Sequence, residues 1–163
     1  MPSIGNATYV KKNEGKALWV LGSLFEVKAS GSDTGGAMAI VEMTFAPGQP
    51  GSPPHRHDCS EAVYVLEGTV RYHIGESSVD ARAGDLLFFP KGTLEWIENP
   101  SDKPSKALVI YDRPGIADFF AEVGVAAATR SLPPPLSSPP DVAKLAAAGK
   151  RHGLEILPPA SRQ

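Results

Sequence analysis

The chain has 163 residues, 42% of them hydrophobic, and 16 Lys and Arg against 18 Asp and Glu give a net charge of −2. That length supports one domain with a real core, and a near-neutral balance with no basic run argues against nucleic acid or an anionic membrane surface as partner. The single cysteine, Cys59, excludes an intrachain disulfide. No apolar run is long enough to span a bilayer and the N-terminus shows no signal pattern, so the expected location is the cytoplasm.

Residues 1–15 are polar and read as an irregular lead-in. Residues 16–29 are too irregular for one helix face, and Gly22 would interrupt a helix, so two short strands broken near Gly22-Ser23 are expected. The turn cluster at 30–36 precedes a strand over 37–46, and a Pro/Gly loop over 47–54 leads into the pair His55 and His57. Strands follow over 62–67 and 70–74, joined by a tight turn at Gly68-Thr69, which reads as a hairpin. Further short strands are expected over 79–82, 86–89, 94–98 and 106–112, each bounded by Gly, Pro, Asn or Asp. Eight or more short strands with such punctuation predict a sandwich or barrel.

The composition changes at Pro114-Gly115, which divides the chain into a barrel over 1–114 and an appendage over 115–163. Apolar residues at 116, 119, 120 and 123 follow the spacing of one helix face, so a helix over 116–125 is expected. Residues 132–140 are Pro-rich and extended. Asp141 is positioned to cap a second helix over 142–148, with Gly149 as its stop. The remaining tail is short and apolar, and both helices are expected to pack on the barrel.

The chemistry lies between Gly48 and Gly68. Side chains alternate along an extended segment, so His55 and His57 share a face. Glu61 has the same odd parity and opens the following strand. Two imidazoles and a carboxylate converging from one sheet face form a donor set for a divalent metal. Farther on, Glu95 shares parity with Ile97 and opposes Leu94 and Trp96, so it can face inward while Trp96 faces out. A buried carboxylate needs a cation, a proton or a hydrogen-bond donor. Glu95 therefore either completes a two-His, two-Glu shell or acts as an acid or base beside a three-ligand site. Cys59 reads as a small buried residue, His73 as a surface or satisfied core histidine, and His152 as structural. The aromatic residues Trp19, Tyr64, Tyr72, Phe88, Phe89 and Trp96 read mostly as barrel packing, some of them lining a pocket mouth with Met38, Ile40 and Met43.

These residues resemble the two motifs of the cupins. His55-x-His57-x3-Glu61-x6-Gly68 follows the first motif at every spacing, with Gly48 one position farther from His55 than the motif's leading glycine. Gly84-x5-Pro90-x-Gly92-x2-Glu95-x3-Asn99 follows the second, except that Glu95 stands where the family usually has its third histidine. The resemblance spans about residues 18–112, and the tail is similar to that of bacterial single-domain cupins like quercetin dioxygenases. It implies an all-β fold, a double-stranded β-helix or jelly-roll barrel with a short C-terminal helical tail. It also implies a homodimer formed through N-terminal strands. For function it implies a metal-dependent, dioxygenase-like oxidoreductase acting on a small organic molecule, with His55, His57, Glu61 and Glu95 as metal ligands and Glu61 and Glu95 as candidate catalytic groups. Two carboxylates make a hard, anionic shell that favours Fe, Mn or Ni, with Zn or Cu as alternatives. The alternatives to this reading are a non-catalytic small-ligand barrel and a metal-dependent isomerase or cyclase.

Overall fold

In the computed structural model, residues 3–4, 7–48 and 51–158 are described. Gln49 and Pro50 of the expected 47–54 loop, and Met1, Pro2, Gly5 and Asn6 of the lead-in, lie outside the described residues. The strands run β1 (Ser3–Ile4), β2 (Ala7–Thr8), β3 (Lys16–Val20), β4 (Ser23–Ala29), β5 (Ala39–Phe45), β6 (His55–His57), β7 (Glu61–Glu67), β8 (Thr69–Ile74), β9 (Ser77–Arg82), β10 (Leu86–Phe89), β11 (Glu95–Glu98) and β12 (Ser105–Tyr111). Helix α1 (Ile116–Val123), β13 (Val125–Ala126), α2 (Val142–His152) and β14 (Leu154–Ile156) complete the chain. No helix among the described residues is long and apolar enough to cross a membrane.

Seven strands form one sheet in the order β10-β7-β12-β5-β4-β3-β13, and five form the other in the order β14-β6-β11-β8-β9. The short β1–β2 pair stands apart, so the lead-in is not wholly irregular. Alternation decides the core. β5 and β12 bury every second residue, and Val41, Val63, Val65, Val70 and Val109 are essentially inaccessible. Each such side chain contributes about 1.5–3 kcal/mol by leaving water. The expected break near Gly22 is present: Leu21 and Gly22 both have positive φ and link β3 to β4 by a two-residue turn.

The expected hairpin over 62–74 does not form. β7 lies in the larger sheet, between β10 and β12, whereas β8 lies in the smaller one and pairs with β9 and β11. Gly68 turns the chain from one sheet to the other with φ of 72°. A Cβ there would meet Ser105 at 3.1 Å and the Pro104 carbonyl at 3.2 Å, so the crossing is tight as well as left-handed. Alternation and a glycine turn look the same for a hairpin and for a strand that changes sheets.

The appendage departs from expectation in three places. α1 buries Ile116, Phe119 and Phe120 as its spacing implies, but it ends at Val123, and Val125–Ala126 pairs with β3 instead. α2 is capped by Asp141, whose side chain accepts from the Lys144 N–H. It runs through Gly149 to His152 and closes on Gly153 in the left-handed conformation. Gly149 does not stop the helix because it serves packing: a Cβ there would meet the Leu154 carbonyl at 3.0 Å and Ile156 at 3.2 Å. The apolar tail then becomes β14 and pairs with β6, Leu154 opposite His57 and Ile156 opposite His55.

Candidate metal centre

The two histidines reach the interior from the smaller sheet. β6 is only three residues long, yet it is held on both edges, by β11 and by β14. Glu95 is the register partner of His55 across the β6–β11 pair, which brings an imidazole and a carboxylate onto one face as cross-strand neighbours. Glu61 comes from the opposite direction. Between His57 and Glu61 the chain leaves the smaller sheet and enters the larger one, with the Ser60 N–H donating to Asp112 at 2.9 Å. The donor groups therefore converge from two facing sheets, not from one sheet face as the continuous parity of 55–61 implies. Matching parity survives the crossing only because the turn over 58–60 reorients the strand.

His55, His57 and Glu95 offer ligand atoms that all lie within 4.8 Å of one another. The two imidazole Nε2 atoms are 2.9 Å apart, and His57 Nε2 lies 3.8 Å from Glu95 Oε1. Glu61 joins through His57, its Oε2 3.3 Å from Nε2, and stands outside the group of three. His57, Glu61 and Glu95 are buried, and His55 is partly so. Cys59 is also buried, in agreement with its reading as a small core residue. His73 stacks on Trp96 with ring centroids 4.6 Å apart and His152 pairs with Glu122 at 2.7 Å, and neither belongs to the group of three.

The electrostatics follow from this burial. Desolvation lowers the pKa of His55, and that of His57 to about 3, with the neighbouring His55 adding to the second. Both are neutral imidazoles at pH 7. The His55 Nδ1 lies 2.8 Å from the Pro53 carbonyl. A carbonyl only accepts, so Nδ1 carries the proton and the Nε2 lone pair faces the site. Desolvation also raises the carboxyls: Glu61 to about 8, partly offset by a hydrogen bond from Tyr111, and Glu95 to about 9, with the charge of Glu61 as the second cause. The close His57 contacts are therefore not ion pairs.

This donor set has the properties of a site for a divalent cation. Glu95 Oε2 is buried without a hydrogen-bond partner among the described residues. Among the described residues no cationic side chain stands between the two buried carboxyls, and a divalent ion would allow both to ionise. The 2.9 Å between the imidazole nitrogens is near the roughly 3 Å expected for two nitrogens bound at right angles about 2.1 Å from one ion.

A cavity of about 70 Å³ opens on these groups, walled by Phe25, Met43, Phe45 and Ile97 of the barrel. Tyr72 and Tyr111 also reach it. Of the residues expected at a pocket mouth, Met43 and Tyr72 are in the wall, while Phe88 and Met38 face solvent. Tyr111 went unnoticed in the sequence, although its odd parity on β12, shared with Ala107 and Val109, is an inward signal. Phe119, Phe120, Leu145, Leu154 and Ile156 of the appendage complete the wall. The spacing of 116–123 marks Phe119 and Phe120 as inward-facing, but no local pattern shows that this face closes the cavity.

Comparison with known proteins places these observations. Residues 41–111 match a family model described as Cupin domain. Germin-like protein subfamily 2 member 3 of Arabidopsis thaliana is 34% identical over 93 residues, covering 52% of this chain and 41% of the relative. Germin-like protein subfamily 2 member 1 of the same plant is 30% identical over 81 residues, 46% of this chain and 36% of the relative. The chain thus spans about two fifths of the length of the curated relatives it matches. Among solved structures, a predicted oxalate decarboxylase from Thermotoga maritima superposes with a TM-score of 0.58 at 19% identity, covering 65% of this chain and 99% of that one. A polyketide cyclase from Streptomyces resistomycificus superposes with a TM-score of 0.52 at 20% identity, covering 70% and 82%. These likenesses concern the fold, which is the cupin jelly roll.

Proposed function

We propose that this cupin barrel is a metal-dependent enzyme acting on a small organic molecule by dioxygenase-like chemistry, similar in kind to that of quercetin dioxygenase. The observation that carries the reading is the buried group of two neutral imidazoles and two carboxyls at the end of an otherwise apolar cavity. His55, His57 and Glu95 would hold the ion, and Glu61 would be its fourth ligand or an adjacent base. Fe, Mn or Ni suits a shell with two carboxylates better than Cu(I) does. When bound, such an ion supplies Lewis-acid and redox chemistry at an open position.

The chain's own residues have separate tasks. The Pro53 carbonyl holds the His55 ring in one tautomer. Glu61 and Glu95 neutralise the charge of a divalent ion. If Glu61 is not a ligand, its carboxyl, 3.3 Å from His57, would stand beside the ion as an acid or base. Phe119 and Phe120 exclude water from the cavity. The fold is shared with a polyketide cyclase, so the assay must separate oxygen-dependent from oxygen-independent chemistry.

The test is metal content by plasma mass spectrometry on wild type, His57→Ala and Glu95→Ala, purified without chelator, followed by oxygen uptake with enediol-like substrates under air and turnover under argon. Near-stoichiometric metal in wild type, reduced in both variants, together with oxygen uptake, is the expected result. Turnover that is equal under argon would replace the dioxygenase with an isomerase or cyclase. Absence of metal even after reconstitution would leave a small-ligand-binding barrel.

A further inference from the structure

The walls of the cavity carry information about charge. Among the described residues no Lys or Arg lines it. Besides the four candidate ligands, the polar side chains in the wall among the described residues are Ser52, Tyr72 and Tyr111. Three arginines close to these elements are engaged elsewhere. Arg56 lies between the two histidines in sequence but on the opposite face of β6, where it donates to the Gly92 carbonyl at 2.7 Å and lies 3.8 Å from Glu155. Arg113 pairs with Asp58, and Arg151 with Glu122.

The charge balance then limits what can bind. A divalent ion held by two ionised carboxylates is already neutral. A mono- or dianionic ligand brought beside it would add net negative charge inside an apolar cavity with no cation to receive it. An uncompensated buried charge is strongly disfavoured. Size acts in the same direction. A volume of about 70 Å³ has room for only a handful of water-sized groups.

We infer that the site takes a small, uncharged, largely apolar molecule bearing one oxygen-rich metal-binding end, and that it discriminates against dicarboxylates and phosphate esters. This rests on the metal-dependent reading above and narrows it: the aromatic and aliphatic wall contacts the apolar part, and the imidazole–carboxylate end receives the oxygens.

The test uses three probes on one three-carbon skeleton that differ in charge: dimethyl malonate, monomethyl malonate and malonate. Each is titrated by calorimetry into Mn(II)-loaded protein at pH 7, after metal content has been measured. Affinity is expected to fall along the series, by about tenfold or more for each added charge. A second variant checks the cause. Leu21 is partly exposed and lines the cavity, so Leu21→Arg supplies the missing cation at the wall without burying it in the core. It is expected to raise the ratio of malonate to dimethyl malonate affinity about tenfold or more over that of wild type. A protein that takes up no metal refutes the underlying reading, and this is seen before any probe is added. A loaded protein that binds malonate at least as tightly as dimethyl malonate, or does not bind dimethyl malonate, refutes the present inference alone.

Discussion

Replacing Glu95 by Gln is expected to have opposite effects on the metal-free and metal-loaded protein. In the metal-free protein Glu95 is 2% exposed and its pKa is raised from 4.5 to about 9, first by desolvation and second by the charge of Glu61. A carboxyl whose pKa rises on folding binds its proton more tightly when folded. Its contribution to stability is therefore fully present below the unfolded value near 4.5 and is lost as pH climbs toward about 9. At pH 7, about 2.5 pH units above that ordinary value, keeping the proton costs about 3 kcal/mol. Gln has nearly the same shape and no charge to suppress. Glu95→Gln is thus expected to stabilise the metal-free protein at pH 7 by up to about 3 kcal/mol, or roughly 5–10 °C in melting temperature. The gain should nearly vanish at pH 4.5 and grow toward pH 9. With metal bound the sign reverses, because an anionic ligand has been lost; affinity should fall by about 10–100-fold or more. Thermal melts by circular dichroism on chelator-treated and Mn(II)-loaded wild type and variant, at three pH values, read all of this. A metal-free variant less stable than wild type at pH 7, or a gain that does not change with pH, would refute the reasoning.

Three further outcomes are expected. Burial raises the Cys59 thiol to about 12, with Asp112, Glu61 and Glu95 adding to it, so native protein should not react with Ellman's reagent at pH 8 and should release one thiol per chain on denaturation. Gly153 has φ of 81° and a Cβ there would collide with the Asp58 carboxylate, so Gly153→Ala should cost about 1–3 kcal/mol in a denaturant titration and loosen β14 from β6, raising amide exchange at Leu154 and Ile156. The family resemblance implies a homodimer, and light scattering after size exclusion should give twice the mass of the 17.2 kDa chain; a monomer mass would remove that expectation.

Much of the barrel was legible because a half-buried strand has a side-chain period of two and its ends need Gly, Pro, Asn or Asp. β5, β7, β10, β11 and β12 all lie within a residue or two of where alternation and punctuation put them. The candidate ligands were legible for a related reason. His55, His57 and Glu95 occupy inward positions of short strands, and inwardness is a local property that parity reveals. Asp141 capped α2 because a cap is satisfied by the backbone three residues away.

What only the tertiary structure decided is non-local. Parity states that Glu61 points inward but not that it arrives from the facing sheet, which leaves it against His57 yet outside the group formed by His55, His57 and Glu95. A glycine turn cannot distinguish β7–β8 as a hairpin from a crossing between sheets, because the pairing energy lies with β9, β10, β11 and β12, distant in sequence. Gly149 reads as a helix stop until Leu154 and Ile156 are seen packed against it. The cavity wall draws on α1, α2 and β14 as well as the barrel. That no Lys or Arg lines it among the described residues is a property of side chains assembled from across the chain, which no single stretch encodes.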